Sequence, residues 1–214
     1  MLSELIEKSL SGYVYDLALV VHNLYKQKFV CAKLKNRQWY TFDGTRWACT
    51  EIGPYHDVST NMVSVYQSLL DADVKELEQK EKVKEVAIEQ SKLLNNEIEA
   101  LKKHITKIEA VISKLKNVNF KESLCKESMY MFYDPEFLGR LDTDRHLICF
   151  KNGVLDLRSK EFRPGRKEDY LSLYVDDVYM GDAFQTKMQK FMTFRENIIL
   201  KRKGNHFRFP ESSD

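Results

Sequence analysis

Between Pro54 and Pro135 the chain contains neither glycine nor proline, and this interval carries its strictest periodicity. Leu94, Ile98, Leu101, Ile105, Ile108, Ile112 and Leu115 recur at alternating steps of four and three, with Lys and Glu filling most of the positions between. Such a spacing lines one face of an α-helix with a heptad seam. Upstream, Val83, Val86, Ala87 and Ile88 stay apolar, but Lys80 and Ser91 break the extrapolated register. One straight helix from Val58 to Lys116 would be about 90 Å long and could not bury its seam alone. The seam is covered either by a helical hairpin within the chain or by an intermolecular coiled coil. The hairpin is the preferred expectation, with its turn in Asp71 to Lys82 or near Asn95-Asn96, because it satisfies both apolar stripes within one chain.

The flanks read differently. Tyr13 to Phe29 is helical, with Tyr13, Leu17, Val20, Val21, Leu24 and Tyr25 on one side. Gln38 to Thr50 alternates around Asp43-Gly44, a hairpin signal. A short helix, Lys121 to Tyr133, precedes a turn led by Pro135, and its neighbourhood holds the aromatic-rich set Met129, Phe132, Tyr133, Phe137 and Leu138. From Leu147 to Phe150 an apolar run reaches the pair Asn152-Gly153. A second run, Val154 to Leu157, then holds Asp156 between two leucines, as a strand with one buried face would, and the segment closes on Pro164-Gly165. The fold expected is α+β: short antiparallel β-hairpins packed with helices, plus a long helical hairpin or coiled-coil insertion. Residues 1–57 and 119–181 form one α+β domain and 58–118 the insertion. Residues 182–214 form an amphipathic helical linker and a basic, aromatic tail. Trp39, Phe42, Trp47, Phe150 and Leu155 are the expected core.

At 214 residues the chain holds one domain with an appendage or two small ones, and its net charge of +2 argues neither for nor against nucleic acid. Cys31, Cys49, Cys125 and Cys149 lie far apart among apolar neighbours and read as small buried thiols in a reducing compartment. The cysteines and five scattered histidines show no metal-ligand spacing. No run approaches the roughly 20 apolar residues of a membrane span, and no signal peptide opens the chain, so a soluble intracellular protein is expected. No G-x-x-x-x-G-K-[ST] phosphate loop occurs. Asp142-x-Asp144 reads as a solvated turn rather than a Mg²⁺ site, and Asp169, Asp176 and Asp177 read as exposed acids.

Two stretches carry a resemblance. Leu141-Asp142 … Asn152-Gly153-Val154-Leu155-Asp156-Leu157 … Phe162-Arg163 … Glu168-Asp169-Tyr170 closely resembles a segment of viral primase-helicases. These are the poxvirus-type replication enzymes of large DNA viruses, with phage and plasmid primase relatives. Trp39-Tyr40-Thr41-Phe42-Asp43-Gly44-Thr45-Arg46-Trp47 looks like the same family's aromatic-x-Phe-Asp-Gly-x-x-Trp element. The resemblance, over roughly residues 12 to 180, implies the domain N-terminal to the superfamily 3 helicase motor. On that reading Trp39, Phe42, Asp43, Gly44, Trp47, Asn152, Gly153 and Asp156 are signature and structural residues, none of them catalytic. It implies a non-catalytic accessory domain that positions the motor relative to primase and DNA in an oligomeric ring, within the host cytoplasm, a viral factory or the virion. The chain needs no cofactor of its own; ATP and Mg²⁺ belong to a downstream motor. Past Tyr179, Met188 to Leu200 begins as the family's continuing helix would, but from Lys201 onward the chain departs from that pattern, so a truncated or stand-alone copy is expected.

For nucleic-acid contact the candidates are Arg158, Arg163 and Arg166 around the signature hairpin. In the tail they are Lys201, Arg202 and Arg208, interleaved with Phe207 and Phe209. Cations along a phosphate backbone with rings for stacking are the physical formula for single-strand binding. Expected partners are DNA, single-stranded or forked, motor and primase domains, and further copies of the chain. The alternative is a coiled-coil protein–protein interaction module without a nucleic-acid role.

Overall fold

The computed structural model describes residues 2–86 and 91–181. The amphipathic helix expected at 184–200 and the basic tail beyond it lie outside the described residues. The chain divides into two compact units. The first comprises Met1–Tyr40 and Thr50–Pro135, the second Thr41–Cys49 and the residues from Glu136 on.

The first unit is mainly helical. It contains α1 (Leu2–Ser9), α2 (Val14–Tyr25) and α3 (Tyr55–Asp57), which runs through a π-helical turn at Val58–Met62 into α4 (Val63–Val86). α5 (Ser91–Lys116) and α6 (Val118–Met129) follow, the latter capped by the Asn117 side chain on the Phe120 N–H. α4 and α5 lie antiparallel, joined by ion pairs between Lys80 and Glu97, Glu81 and Lys102, and Asp73 and His104. The long insertion therefore closes as a helical hairpin within the chain. Its turn is in neither place expected, since Asp71 to Lys82 lies inside α4 and Asn95-Asn96 inside α5. Acidic and amide residues at those positions are accommodated within the helices, since propensity alone does not end a helix.

The seam explains where the unit's core sits. Ile98, Ile108, Ile112 and Leu115 are buried, while Leu94, Leu101 and Ile105 are half-buried. Ile108, Val111, Ile112 and Leu115 join a cluster with Leu17, Val20 and Val21 of α2, Tyr66 of α4 and Leu124 of α6. Fully burying each such side chain contributes about 1.5–3 kcal/mol. Tyr13, expected on that apolar side, precedes α2 and is 72% exposed.

Strands β1 (Phe29–Lys33), β2 (Gln38–Phe42) and β3 (Trp47–Thr50) form a sheet in that order, one strand more than the hairpin expected. The segment after α6 pairs with β1: Cys31 N–H donates to Phe132 O and Asp134 N–H to Cys31 O. Trp39 is buried against Phe132, and a Cβ on Gly53 would lie 2.7 Å from the Trp39 ring.

The second unit is built on α7 (Phe137–Arg140) and the sheet β4 (Leu147–Phe150), β5 (Gly153–Asp156) and β6 (Glu161–Arg163), antiparallel in that order. Ile148 faces Leu155, and Cys149 faces Val154. Leu147, Cys149, Val154 and Leu171 pack on one side, and Ile148, Phe150 and Leu155 on the other, so β4 is buried on both faces. Val175 and Asp177 run beside the free edge of β4, with Val175 N–H bonded to Cys149 O and Lys151 N–H to Asp177 O.

Candidate nucleic-acid interface

Most of the residues that carry the resemblance lie in the second unit, while Trp39 lies in the first. Asp43 folds the β2–β3 turn: its Oδ1 accepts the N–H groups of Thr45 and Arg46, and its own N–H donates to Arg46 O. Gly44 holds φ +99°, a region that L side chains rarely adopt. Trp47 is then placed with Nε1–H on Lys167 O at 2.8 Å, its N–H on Leu171 O at 2.7 Å, and its ring edge-on to Phe137. Phe42, expected in the core, is half-buried and packs against the Trp47 ring. The Thr45 backbone lies so close to Gly165 that a Cβ there would be 2.2 Å from Thr45 O. Gly165 therefore serves a close approach of two backbones rather than a turn.

The acids are the main correction. Asp142, expected in a solvated turn, is 2% exposed and accepts the N–H groups of Ser172 and Leu173 at 2.8 and 3.0 Å, as well as the Ser172 hydroxyl. Its own N–H donates to Tyr170 O. Asp169, expected to be an exposed acid, takes both guanidinium nitrogens of Arg163 at 2.7 and 2.8 Å and the Arg166 N–H. Sequence could not foresee the role of Asp142 because its partners lie about thirty residues further on, whereas Asp169 meets Arg163 and Arg166 across a local turn. The turn pair is also corrected. Lys151 and Asn152 form the loop, and Gly153 already pairs with Phe150. A Cβ on Gly153 would sit 2.7 Å from Arg163 O, so the glycine is needed for close approach to β6.

The basic candidates fare unequally. Arg158 lies across the Asp156 carboxylate, with Nε and Nη2 at 3.1 and 3.0 Å, and reaches Asp144 at 3.1 Å. The Arg158 guanidinium and N–H hold the Asp156 carboxyl down to about 2. Arg163 is held by Asp169 with side-chain exposures of 14% and 8%. Arg166 is exposed. Lys201, Arg202 and Arg208 are outside the described residues. A cleft of about 220 Å³ between the β2–β3 turn and Lys151 is lined by Asp43, Thr45, Arg46, Phe150 and Tyr174, and its mixed charge does not form a phosphate cradle.

The thiols divide. Cys31 and Cys149 are buried, Cys125 is intermediate, and Cys49, expected buried, is exposed on β3. Burial pushes the Cys149 and Cys125 thiols up to about 12. Among the described residues no cluster of three or more His, Cys, Asp or Glu is placed to hold a metal ion, and no helix is long and apolar enough to cross a membrane.

Comparison with known proteins agrees with the resemblance. Residues 18–199 match the family model described as D5 N terminal like. Three viral proteins bearing the name "Putative helicase" are similar: L207/L206 of Acanthamoeba polyphaga mimivirus, 022R of Frog virus 3 (isolate Goorha) and 121R of Invertebrate iridescent virus 3. They are 30%, 25% and 27% identical over 91%, 77% and 78% of this chain. The chain spans 20%, 19% and 19% of their respective lengths, about a fifth. With the match covering most of the sequence, the chain belongs to the D5 N terminal like family of viral helicase-type proteins.

Proposed function

We propose that this chain is a non-catalytic module of viral DNA replication, which positions a superfamily 3 motor relative to primase and DNA. The observation that carries the reading is the family match over residues 18–199, in relatives named as helicases and about five times as long. The use of the signature residues supports it. Asp43, Asp142 and Asp169, the acids that a catalytic reading would recruit, have their oxygens engaged by backbone N–H groups, Ser172 and Arg163. ATP and Mg²⁺ would be bound by the motor, and DNA, primase and motor domains are the partners proposed. Within the chain the α4–α5 pairing already covers the heptad seam, which removes the need for a second copy as its cover.

The gene read in frame past Asp214 should encode a G-x-x-x-x-G-K-[ST] loop, or a neighbouring gene should. A motor protein carrying residues 1–181 is then compared with the motor alone. The expected result is comparable ATP hydrolysis by both and efficient fork unwinding only by the longer protein. Equal unwinding by the two would refute the positioning role.

A further inference from the structure

From Leu17 to Phe42 the chain holds five cations, Lys26, Lys28, Lys33, Lys35 and Arg37, and no Asp or Glu. The structure spends one of them at once: Lys28 binds both oxygens of Asp57 at 2.8 and 2.9 Å. Three others crowd the turn between β1 and β2, where Lys33, Lys35 and Arg37 are all exposed. Among the described residues none of the three has a carboxylate within ion-pair distance, in contrast to Arg158 and Arg163 of the signature segment. The turn is firmly seated. Leu34 packs against the core of the first unit, and Arg37 N–H returns to Leu34 O at 3.3 Å. Arg37 itself sits at φ +47°, where glycine or asparagine would fit more easily.

We propose that the β1–β2 turn is a contact surface for the phosphate backbone of duplex DNA, made by Lys33, Lys35 and Arg37. Three unpaired cations within five residues offer a local positive charge to the B-DNA backbone, which presents one phosphate per about 1.7 Å of axis. A single-strand site would interleave rings for base stacking. Here the neighbouring aromatics, Trp39 and Tyr40, are 4% and 5% exposed and cannot stack on a base. The contact carries no sequence readout, which suits a module that must follow a moving fork. It rests on the replication reading above, and it shifts the expected DNA contact away from Arg158 and Arg163, whose guanidinium groups are already bonded to carboxylates.

The test measures binding of the 214-residue protein to a labelled 20-base-pair duplex and to an oligothymidine of equal length, over a salt series. The variant Lys33→Gln/Lys35→Gln/Arg37→Gln is compared with Lys75→Gln/Lys103→Gln/Lys107→Gln, which removes the same charge from exposed positions on α4 and α5. The expected result is preferred duplex binding that falls tenfold or more in the turn variant alone. Its log–log salt slope should become shallower by about 2–3, at roughly 0.9 for each phosphate no longer neutralised. Equal loss in both variants, an unchanged turn variant, preference for the single strand, or no duplex binding by the parent protein would each overturn the proposal. The accessory reading is judged separately by unwinding, so failure of the duplex contact with the unwinding difference intact leaves that reading standing.

Discussion

The side-chain amide of Asn152 pairs with the backbone of Tyr179 in both directions, donating from Nδ2 to Tyr179 O at 3.2 Å and accepting the Tyr179 N–H at Oδ1 at 2.9 Å. It acts as one more peptide unit. Val175 and Asp177 already bond to Cys149 and Lys151 along the edge of β4, and Asn152 continues that ladder past the end of the strand. Tyr179 is thereby held with its ring stacked on Phe162 at 4.6 Å, covering the face of the sheet that holds Phe150. Asn152→Ala should cost about 1 kcal/mol. Amide exchange at Tyr179 should accelerate roughly fivefold, with β5 unchanged, and unaltered exchange at Tyr179 would show that the pair carries no weight.

Gly165 and Gly44 make a contrasting pair. A Cβ on Gly165 meets the Thr45 backbone at 2.2 Å, and neither chain segment can yield cheaply. A Cβ on Gly44 meets nothing within 4 Å, and only its φ of +99° opposes substitution. Gly165→Ala should therefore destabilise by about 2–3 kcal/mol, and Gly44→Ala by about 1 kcal/mol. Trp39 and Trp47, the only two tryptophans, fall one in each unit, so Trp39→Phe leaves a fluorescence probe specific to the second unit. With that probe, equal denaturation midpoints for the two alanine variants would contradict the steric argument.

Elements with a local cause were legible in the sequence. The heptad from Leu94 to Leu115 announced α5, and the absence of glycine and proline announced a long helical insertion. Asp43-Gly44 marked a turn because the aspartate caps its own next residues. Part of what escaped was set by partners distant in sequence. Nothing near Asp142 reveals that Ser172 and Leu173 will bury it, and nothing near Arg163 reveals Asp169 as its mate across a turn. The motif Asn152-Gly153 was read as a turn pair from its chemistry, whereas one residue serves an edge ladder and the other a close approach. The basic turn at Lys33 to Arg37 passed unnoticed because its significance lies in the missing carboxylates, which only pairing elsewhere makes visible.

Arg163 and Asp169 form a two-pronged ion pair that is largely withdrawn from water. Removing one partner strands the other's charge, so Arg163→Ala should cost about 3 kcal/mol in the second unit. Arg163→Lys should recover little, since an ammonium cannot span both carboxylate oxygens. The Trp47 probe reports this destabilisation, because Trp47 bonds to Lys167 beside Asp169. Full recovery by lysine would mean that charge alone, and not the planar fork, holds the pair.

His104 on α5 reaches Asp73 of α4 through Nδ1 and Glu7 of α1 through Nε2, the latter at 3.0 Å. A neutral imidazole can donate from only one nitrogen, so both bonds are made as donors only when the ring is charged. Burial opposes that charge, but the hydrogen bonds to Asp73 and Glu7 prevail and raise its pKa above the ordinary 6.5. A raised folded pKa means that the clip's stabilisation is complete below about 6.5, the unfolded value, and is lost as pH rises through the folded value. The thermal midpoint of the first unit, followed by Trp39 fluorescence in a Trp47→Phe background, should therefore fall as pH climbs from 6 towards 8. His104→Gln should flatten that dependence, and Asp73→Asn should shift it to lower pH by removing one of the two charges that favour the imidazolium. A midpoint that rises across the same window, or a His104→Gln profile matching the parent's, would mean that the ring is held neutral and that α1 is fastened to the hairpin by packing alone.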